Sequence, residues 1–249
     1  MGKKMWIAVV VIVAVFGALI GISMLQNSQS PTSSEVGDYS LEEMTALAKK
    51  NDYSGYDLNK IIPADELSGN LPENVKGKTD APVVIYEYGD YQCSYCAAMN
   101  PLMNKIVEDY KGKVAVVLRT YVLSYHNNGV QAASAANAAA IQGYWADYKD
   151  LLFANQNEWF YSEPGKLQGQ LEEYFQQASD GKGDLEKFRA DMQSEAVQKK
   201  LAFDQGMGDV VEIGGTPWFF MDGKWIENEN MKPADYAEKI RGMIDEKLK

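Results

Sequence analysis

The sequence predicts an α/β fold in which a strand, helix, strand unit and a closing hairpin with its helix flank a long helical block. Three observations predict it. Two β-branched and aromatic runs, 83–88 (VVIYEY) and 114–121 (VAVVLRTY), bracket an amphipathic stretch. The region 127–207 holds Ala-rich and amphipathic pieces and no strand pattern. A short aromatic run, 217–223 (PWFFMDG), ends in an Asp-Gly turn signal and is followed by a helix that opens on Pro233.

The 249 residues have ordinary globular composition, 46% hydrophobic and 24% charged, which excludes a collagenous, disordered or multi-span membrane chain. A net charge of −11 leaves no broad cationic surface, so nucleic-acid binding is set aside. Only two cysteines and one histidine occur. That excludes a disulfide-stapled scaffold and leaves too few soft ligands for a structural zinc site, so no metal is expected.

Residues 6–25 (WIAVVVIVAVFGALIGISML) carry no charge, and at about 1.5 Å per residue they reach across a hydrocarbon core of about 30 Å. No small-residue cleavage site precedes Gln26, which favours an uncleaved anchor over a removed signal peptide. Lys3 and Lys4 precede the segment and no basic residue follows it before Lys49. The positive-inside rule then places the N-terminus in the cytoplasm and the rest outside. Residues 1–25 are thus read as a membrane anchor and 26–79 as a polar linker and extension, with a short helix over 41–50 capped by Ser40.

The regular part begins at residue 80. The run 83–88 is apolar enough for a strand covered on both faces. From Ser94 to about Tyr110, Met99, Leu102, Met103, Ile106 and Tyr110 form one apolar stripe, and Pro101 falls within it. Strand, helix, strand implies a parallel pair with a right-handed crossover. In the helical block, Trp145, Phe153, Trp159 and Phe160 read as core. In the last helix Tyr236, Ile240, Met243, Ile244 and Leu248 share a face, and Pro233 suits its first position.

Chemistry is carried by Cys93-Ser94-Tyr95-Cys96, placed where the first strand gives way to its helix. Two cysteines one turn apart can close a small disulfide reversibly. At the helix N-terminus Cys93 meets unpaired N–H groups and the positive end of the dipole. Its thiol is therefore expected below the free value of about 8.5. Cys96, one turn inside, is the shielded resolving thiol. A loop this short would contribute little as a permanent staple.

The segment YEYGDYQCSYC running into a helix, the helix-rich middle and GGTPWFFMDG near the end together resemble the DsbA-type thiol-disulfide oxidoreductases of the thioredoxin superfamily, nearest to the BdbD-like bacterial members. The resemblance covers about residues 80–249. It implies a thioredoxin fold with an inserted helical domain over about 127–207, and an enzyme that introduces disulfides into secreted or membrane proteins. It also implies reoxidation by a DsbB- or VKOR-like membrane partner, with no cofactor beyond the Cys93/Cys96 disulfide. Thr216-Pro217 falls where the family carries a cis-proline loop facing the cysteines, so Thr216 and Pro217, with Ser94 and Tyr95, are expected to line the substrate site. Glu87 matches a buried acid beneath the motif, expected to have a raised pKa and to exchange a proton with the resolving thiol. DsbA has proline and histidine between its cysteines. Ser94 and Tyr95 offer no positive charge there, so a weaker oxidant is expected, with the Tyr95 hydroxyl as the remaining donor. His126, the sole histidine, reads as a hydrogen-bonding residue where the helical block begins. Two alternatives remain: a reductase or isomerase using the same cysteines, and a tethered peptide-binding or chaperone module that needs neither.

Overall fold

In the computed structural model, which describes residues 39–249, a five-stranded mixed sheet is assembled from both ends of the chain. The expected helix over 6–25 lies outside the described residues. Among those described, no helix is long and apolar enough to cross a membrane.

Helix α1 (Leu41–Ala48) starts at Ser40, whose hydroxyl accepts the Glu43 N–H while Glu43 accepts the Ser40 N–H, the reciprocal cap expected there. Strand β1 (Asn74–Lys76) follows, then β2 (Val83–Gly89), α2 (Ser94–Asp109) and β3 (Val114–Thr120). Five helices, α3 (Gly129–Ile141), α4 (Trp145–Ala154), α5 (Gln156–Trp159), α6 (Pro164–Ala178) and α7 (Leu185–Met192), lead into the long α8 (Glu195–Val210). Strands β4 (Trp218–Met221) and β5 (Lys224–Trp225) and helix α9 (Pro233–Lys247) close the chain.

The sheet order is β1-β3-β2-β4-β5. Strands β2 and β3 are parallel, with Glu87 opposite Leu118, as the intervening helix requires. Strand β4 lies antiparallel to β2, with Phe219 opposite Glu87 and Trp218 opposite Tyr88. The boundary placed at residue 80 needs correction: β1 pairs antiparallel with β3 upstream of it, Val75 against Val117. A three-residue strand reading Asn-Val-Lys carries no local signal; its position is set by β3's open edge.

Alternation along β2 decides what each face holds. Val83 and Ile85 point into a core shared with Met99, Met103 and Ile106 of α2 and with Tyr236, Ile240 and Ile244 of α9. Tyr88 points to the other face, where Tyr53, Phe203 and Met207 gather under α8. Arg119 is wholly buried on that face, its Nε 2.6 Å from Glu73 and its guanidinium 4.6 Å above the Tyr86 ring. Glu73 also accepts the Ile62 N–H at 2.7 Å, so this ion pair ties the extension to the sheet. A third core fills the helical block, including Trp145, Phe153 and Trp159 as expected, whereas Phe160 is only half-buried.

Helix α8 passes close over the extension because it carries Gly206. A β-carbon there would stand 2.1 Å from the buried Tyr53 ring. Its carboxylate and amide side chains also finish the end of β3: Asp204 accepts the Thr120 N–H and Gln205 the Val122 N–H.

Candidate functional site

The chain leaves β2 at Gly89 and turns through Asp90, Tyr91 and Gln92 before Cys93 becomes the N-cap of α2. This turn is cross-braced. The Asp90 carboxylate accepts the N–H groups of Gln92 and Leu123, each at 2.8 Å, and lies 2.7 Å from His126 Nδ1. His126 therefore performs the hydrogen-bonding role expected of it, with its pKa raised chiefly by that hydrogen bond to Asp90. From the helical block, Gln156 donates to the carbonyls of Tyr91 and Cys93, and Gln92 donates to that of Phe160. The loop that aims Cys93 is thus fixed by side chains of the inserted block.

Both thiols are free. Cys93 is 8% exposed, and Cys96, one turn inside, is fully buried. Cys93 Sγ sits 3.3 Å from the Thr216 carbonyl oxygen, and the Thr216-Pro217 peptide bond is cis. The expected proline loop therefore faces the cysteines.

The two sulfurs differ in acidity. The Cys96 thiol donates a hydrogen bond to Cys93, and this, followed by Thr216 and the N–H groups of Cys96 and Tyr95, outweighs burial and lowers the Cys93 pKa to about 6. The largest cause of the lowered value is the partner thiol, with the N–H groups of the first helical turn adding to it. Burial pushes Cys96 the other way, well above the ordinary thiol value, and its hydrogen bond to Cys93 adds to the effect.

Glu87 lies beneath the pair on the α2 side of the sheet and is 6% exposed. Burial raises its pKa to about 7, against the pull of Lys149. Gly89 leaves it room: a β-carbon there would meet the Leu118 side chain at 2.8 Å and Glu87 Oε1 at 3.2 Å.

A family model described as thioredoxin matches residues 70–245. The chain belongs to that family. Its fold is that of the DsbA- and BdbD-like oxidoreductases. BdbD from Bacillus subtilis, in its oxidised form, shares it with a TM-score of 0.58 at 24% identity, over 76% of this chain and 98% of that one. The thiol-disulfide exchange protein alpha-DsbA2 from Wolbachia pipientis does so with a TM-score of 0.55 at 17% identity, over 70% and 86%. Among curated proteins, Na(+)/H(+) antiporter NhaA 1 of Salinispora arenicola is 31% identical over 152 residues. That match takes in 61% of this chain but only 22% of the antiporter, so the chain spans about a fifth of its length.

Against this thioredoxin frame, Cys93, Cys96, Thr216, Pro217 and Glu87 come together around the start of α2, with Ser94 exposed beside them. Tyr95 departs from expectation. Its hydroxyl donates to the Met231 carbonyl at 2.7 Å, because α2 presents the ring toward the loop before α9. Only its backbone N–H serves the Cys93 sulfur. Beside the turn, Tyr125 and Tyr161 are 71% and 89% exposed, linked through the rings of His126 and Phe160. Trp218 is half-buried against Trp225, while Phe219 is buried. Sequence reading missed Asp90 and Gln156, whose partners lie far along the chain, and Lys149, a buried lysine in an otherwise ordinary amphipathic helix. Among the described residues no cluster of three or more metal-ligating side chains occurs.

Proposed function

We propose that the chain is an extracytoplasmic thiol-disulfide oxidoreductase that introduces disulfides into secreted or membrane proteins. The observation that carries this reading is the asymmetry of one pair: an acidic Cys93 thiol, only 8% exposed, beside the Thr216 carbonyl, and a wholly buried Cys96 thiol of high pKa.

In the oxidised enzyme a substrate thiolate attacks Cys93 Sγ. The Cys93–Cys96 bond breaks, and its electron pair leaves on Cys96 Sγ, which takes a proton from Glu87 because burial disfavours its anion. A second substrate thiolate attacks the substrate sulfur of the mixed disulfide and displaces Cys93 as thiolate. The substrate has lost two electrons and gained a disulfide; the enzyme holds two thiols. With a pKa of about 6, Cys93 is a good leaving group at neutral pH. The thiol of DsbA, at about 3.5, is more acidic still, which supports the weaker oxidant expected from a pair without a histidine between its cysteines.

Thr216, Pro217, Ser94 and the Tyr95 backbone form the floor on which an extended substrate segment rests, and Tyr125 and Tyr161 offer it apolar contact. Residues 6–25 anchor the domain outside the cytoplasm, and a DsbB- or VKOR-like membrane protein returns Cys93 and Cys96 to the disulfide. The test is refolding of a reduced multi-cysteine protein by the oxidised enzyme, with its potential measured against glutathione. Native disulfides should form, and Cys93→Ala should abolish them. A strongly negative potential with no refolding would assign the chain to the reductases instead. Activity retained in Cys93→Ala would assign it to non-enzymatic peptide binders.

A further inference from the structure

One residue in the turn before Cys93 joins the chain's single histidine to the cysteine pair. The Asp90 carbonyl accepts the Cys93 N–H at 3.0 Å, and the Asp90 N–H serves the Cys96 sulfur. Its wholly buried carboxylate takes the N–H groups of Gln92 and Leu123 on one oxygen each and His126 Nδ1 on the second. The inserted block closes over it. Gly129, the first residue of α3, stands so near that a β-carbon would meet Asp90 Oδ1 at 3.3 Å and the Val122 side chain at 2.7 Å. Because the carboxylate accepts from every donor that reaches it, Nδ1 carries a hydrogen in both forms of the ring, and Nε2 is the atom that titrates. The rings of Tyr125 and Phe160 stand edge-on to the imidazole. His126 is 9% exposed and borders a surface groove of about 340 Å³ with Ser124, Asn128 and Pro164, so its proton exchanges with solvent.

Ser94 and Tyr95, between the cysteines, bring no positive charge to the pair. We propose that His126 supplies one from outside the motif, as a positioning residue that acts through Asp90 to favour the Cys93 thiolate. This rests on the exchange chemistry proposed above and adds to it the group that makes the reactive thiol sensitive to pH. With His126 protonated, the buried Asp90–His126 pair is neutral. With His126 neutral, Asp90 is left as an uncompensated negative charge three residues before Cys93, and a like charge in a buried turn disfavours the thiolate. The thiolate in turn holds the proton on the ring: the charge of Cys93 adds to the Asp90 hydrogen bond in raising the His126 pKa. Such coupling is reciprocal, so the imidazolium favours the thiolate by as much as the thiolate favours the imidazolium. The support is full below the histidine's midpoint and is lost as pH rises past it. The groups that face the ring are Asp90 from the turn, Cys93 from α2 and Tyr125 from its own loop, with Tyr39, just ahead of α1, on the groove. Phe160 of the inserted block brings no charge.

A single histidine gives a single imidazole signal, so NMR of the untagged full chain titrates His126 directly. Its midpoint should be higher in the reduced protein than in the oxidised protein or in reduced Cys93→Ala, by about half a unit. In His126→Gln the Cys93 midpoint, read from the alkylation rate between pH 4 and 9, should rise by the same amount, cutting that rate about threefold at pH 5. Glutamine still offers Asp90 a donor, so a histidine with only a structural role would leave both midpoints where they are. Should His126→Gln fail to fold, the comparison of reduced and oxidised wild type decides the matter. Equal His126 midpoints in the reduced, oxidised and Cys93→Ala proteins, or an unmoved Cys93 midpoint in His126→Gln, would overturn the proposal. A wild-type Cys93 midpoint near the free value of about 8.5 would instead overturn the exchange chemistry itself.

Discussion

Replacing Glu87 by glutamine should stabilise the reduced protein, and by an amount that depends on pH. Glu87 has a folded pKa of about 7 against an ordinary value of 4.5, the main cause being burial. An acid whose pKa is raised on folding binds more protons in the native state than in the unfolded chain throughout that interval. Stability is therefore lost as pH rises from about 4.5 to 7, and the whole penalty is present above 7. Two and a half units at 1.36 kcal/mol each amount to about 3 kcal/mol. Urea unfolding of wild type and Glu87→Gln, both reduced, across pH 4.5 to 8.5 isolates this group because other titrations cancel in the difference. The variant's advantage should grow from near zero at the acid end to about 3 kcal/mol above pH 7. A difference independent of pH would mean that Glu87 titrates in the folded chain as it does in water, and the assignment of acid and base at this site would fail. Disulfide exchange should meanwhile slow in the variant, so that stability and activity move in opposite directions.

Glu73→Ala should cost about 3–5 kcal/mol in urea unfolding because it strands the wholly buried Arg119, and adding Arg119→Met should recover much of that loss. The Cys93 alkylation rate should be unchanged in both, since the ion pair lies on the opposite face of the sheet from Glu87. Gly206→Ala should be destabilising by about 1–3 kcal/mol, measured the same way. The methyl would enter the Tyr53 ring, which is 3% exposed and has no free space to move into, and that exceeds the gain of up to about 1 kcal/mol from alanine's helix propensity.

Much of the site was legible because its signals are local. An apolar run flanked by turn residues gives β2 and the cysteine spacing marks the start of α2, whereas the loop at Thr216-Pro217 that faces it was legible only through the resemblance to DsbA-type proteins. Glu87 could be read as buried because tyrosines flank it on a strand covered on both faces. Lys149 could not. A lysine on an amphipathic helix is ordinarily solvated, and only the packing of α4 against α2 and β1 closes water off from it. The same holds for β1, whose three residues gain their strand character from β3's free edge. Arg119 sits in an apolar run that reads as strand, but its partner Glu73 lies upstream in a segment with no pattern to announce it. Tyr95 failed for a related reason: its hydroxyl finds Met231, far along the chain, before it can find the neighbouring sulfur.

The difference in acidity between two sulfurs one helical turn apart underlies the whole account. A thiol at about 6 rather than 8.5 favours the reduced enzyme by about 1.4 kcal/mol at pH 7, or about 30 mV of oxidising strength. Ultraviolet absorbance of the thiolate, followed from pH 3 to 10 in the reduced protein and in Cys96→Ala, tests this most directly. One transition near pH 6 is expected in the wild type, belonging to Cys93, and a higher midpoint in Cys96→Ala because the strongest hydrogen bond to that anion is gone. A single transition near pH 8.5 in both proteins would contradict it.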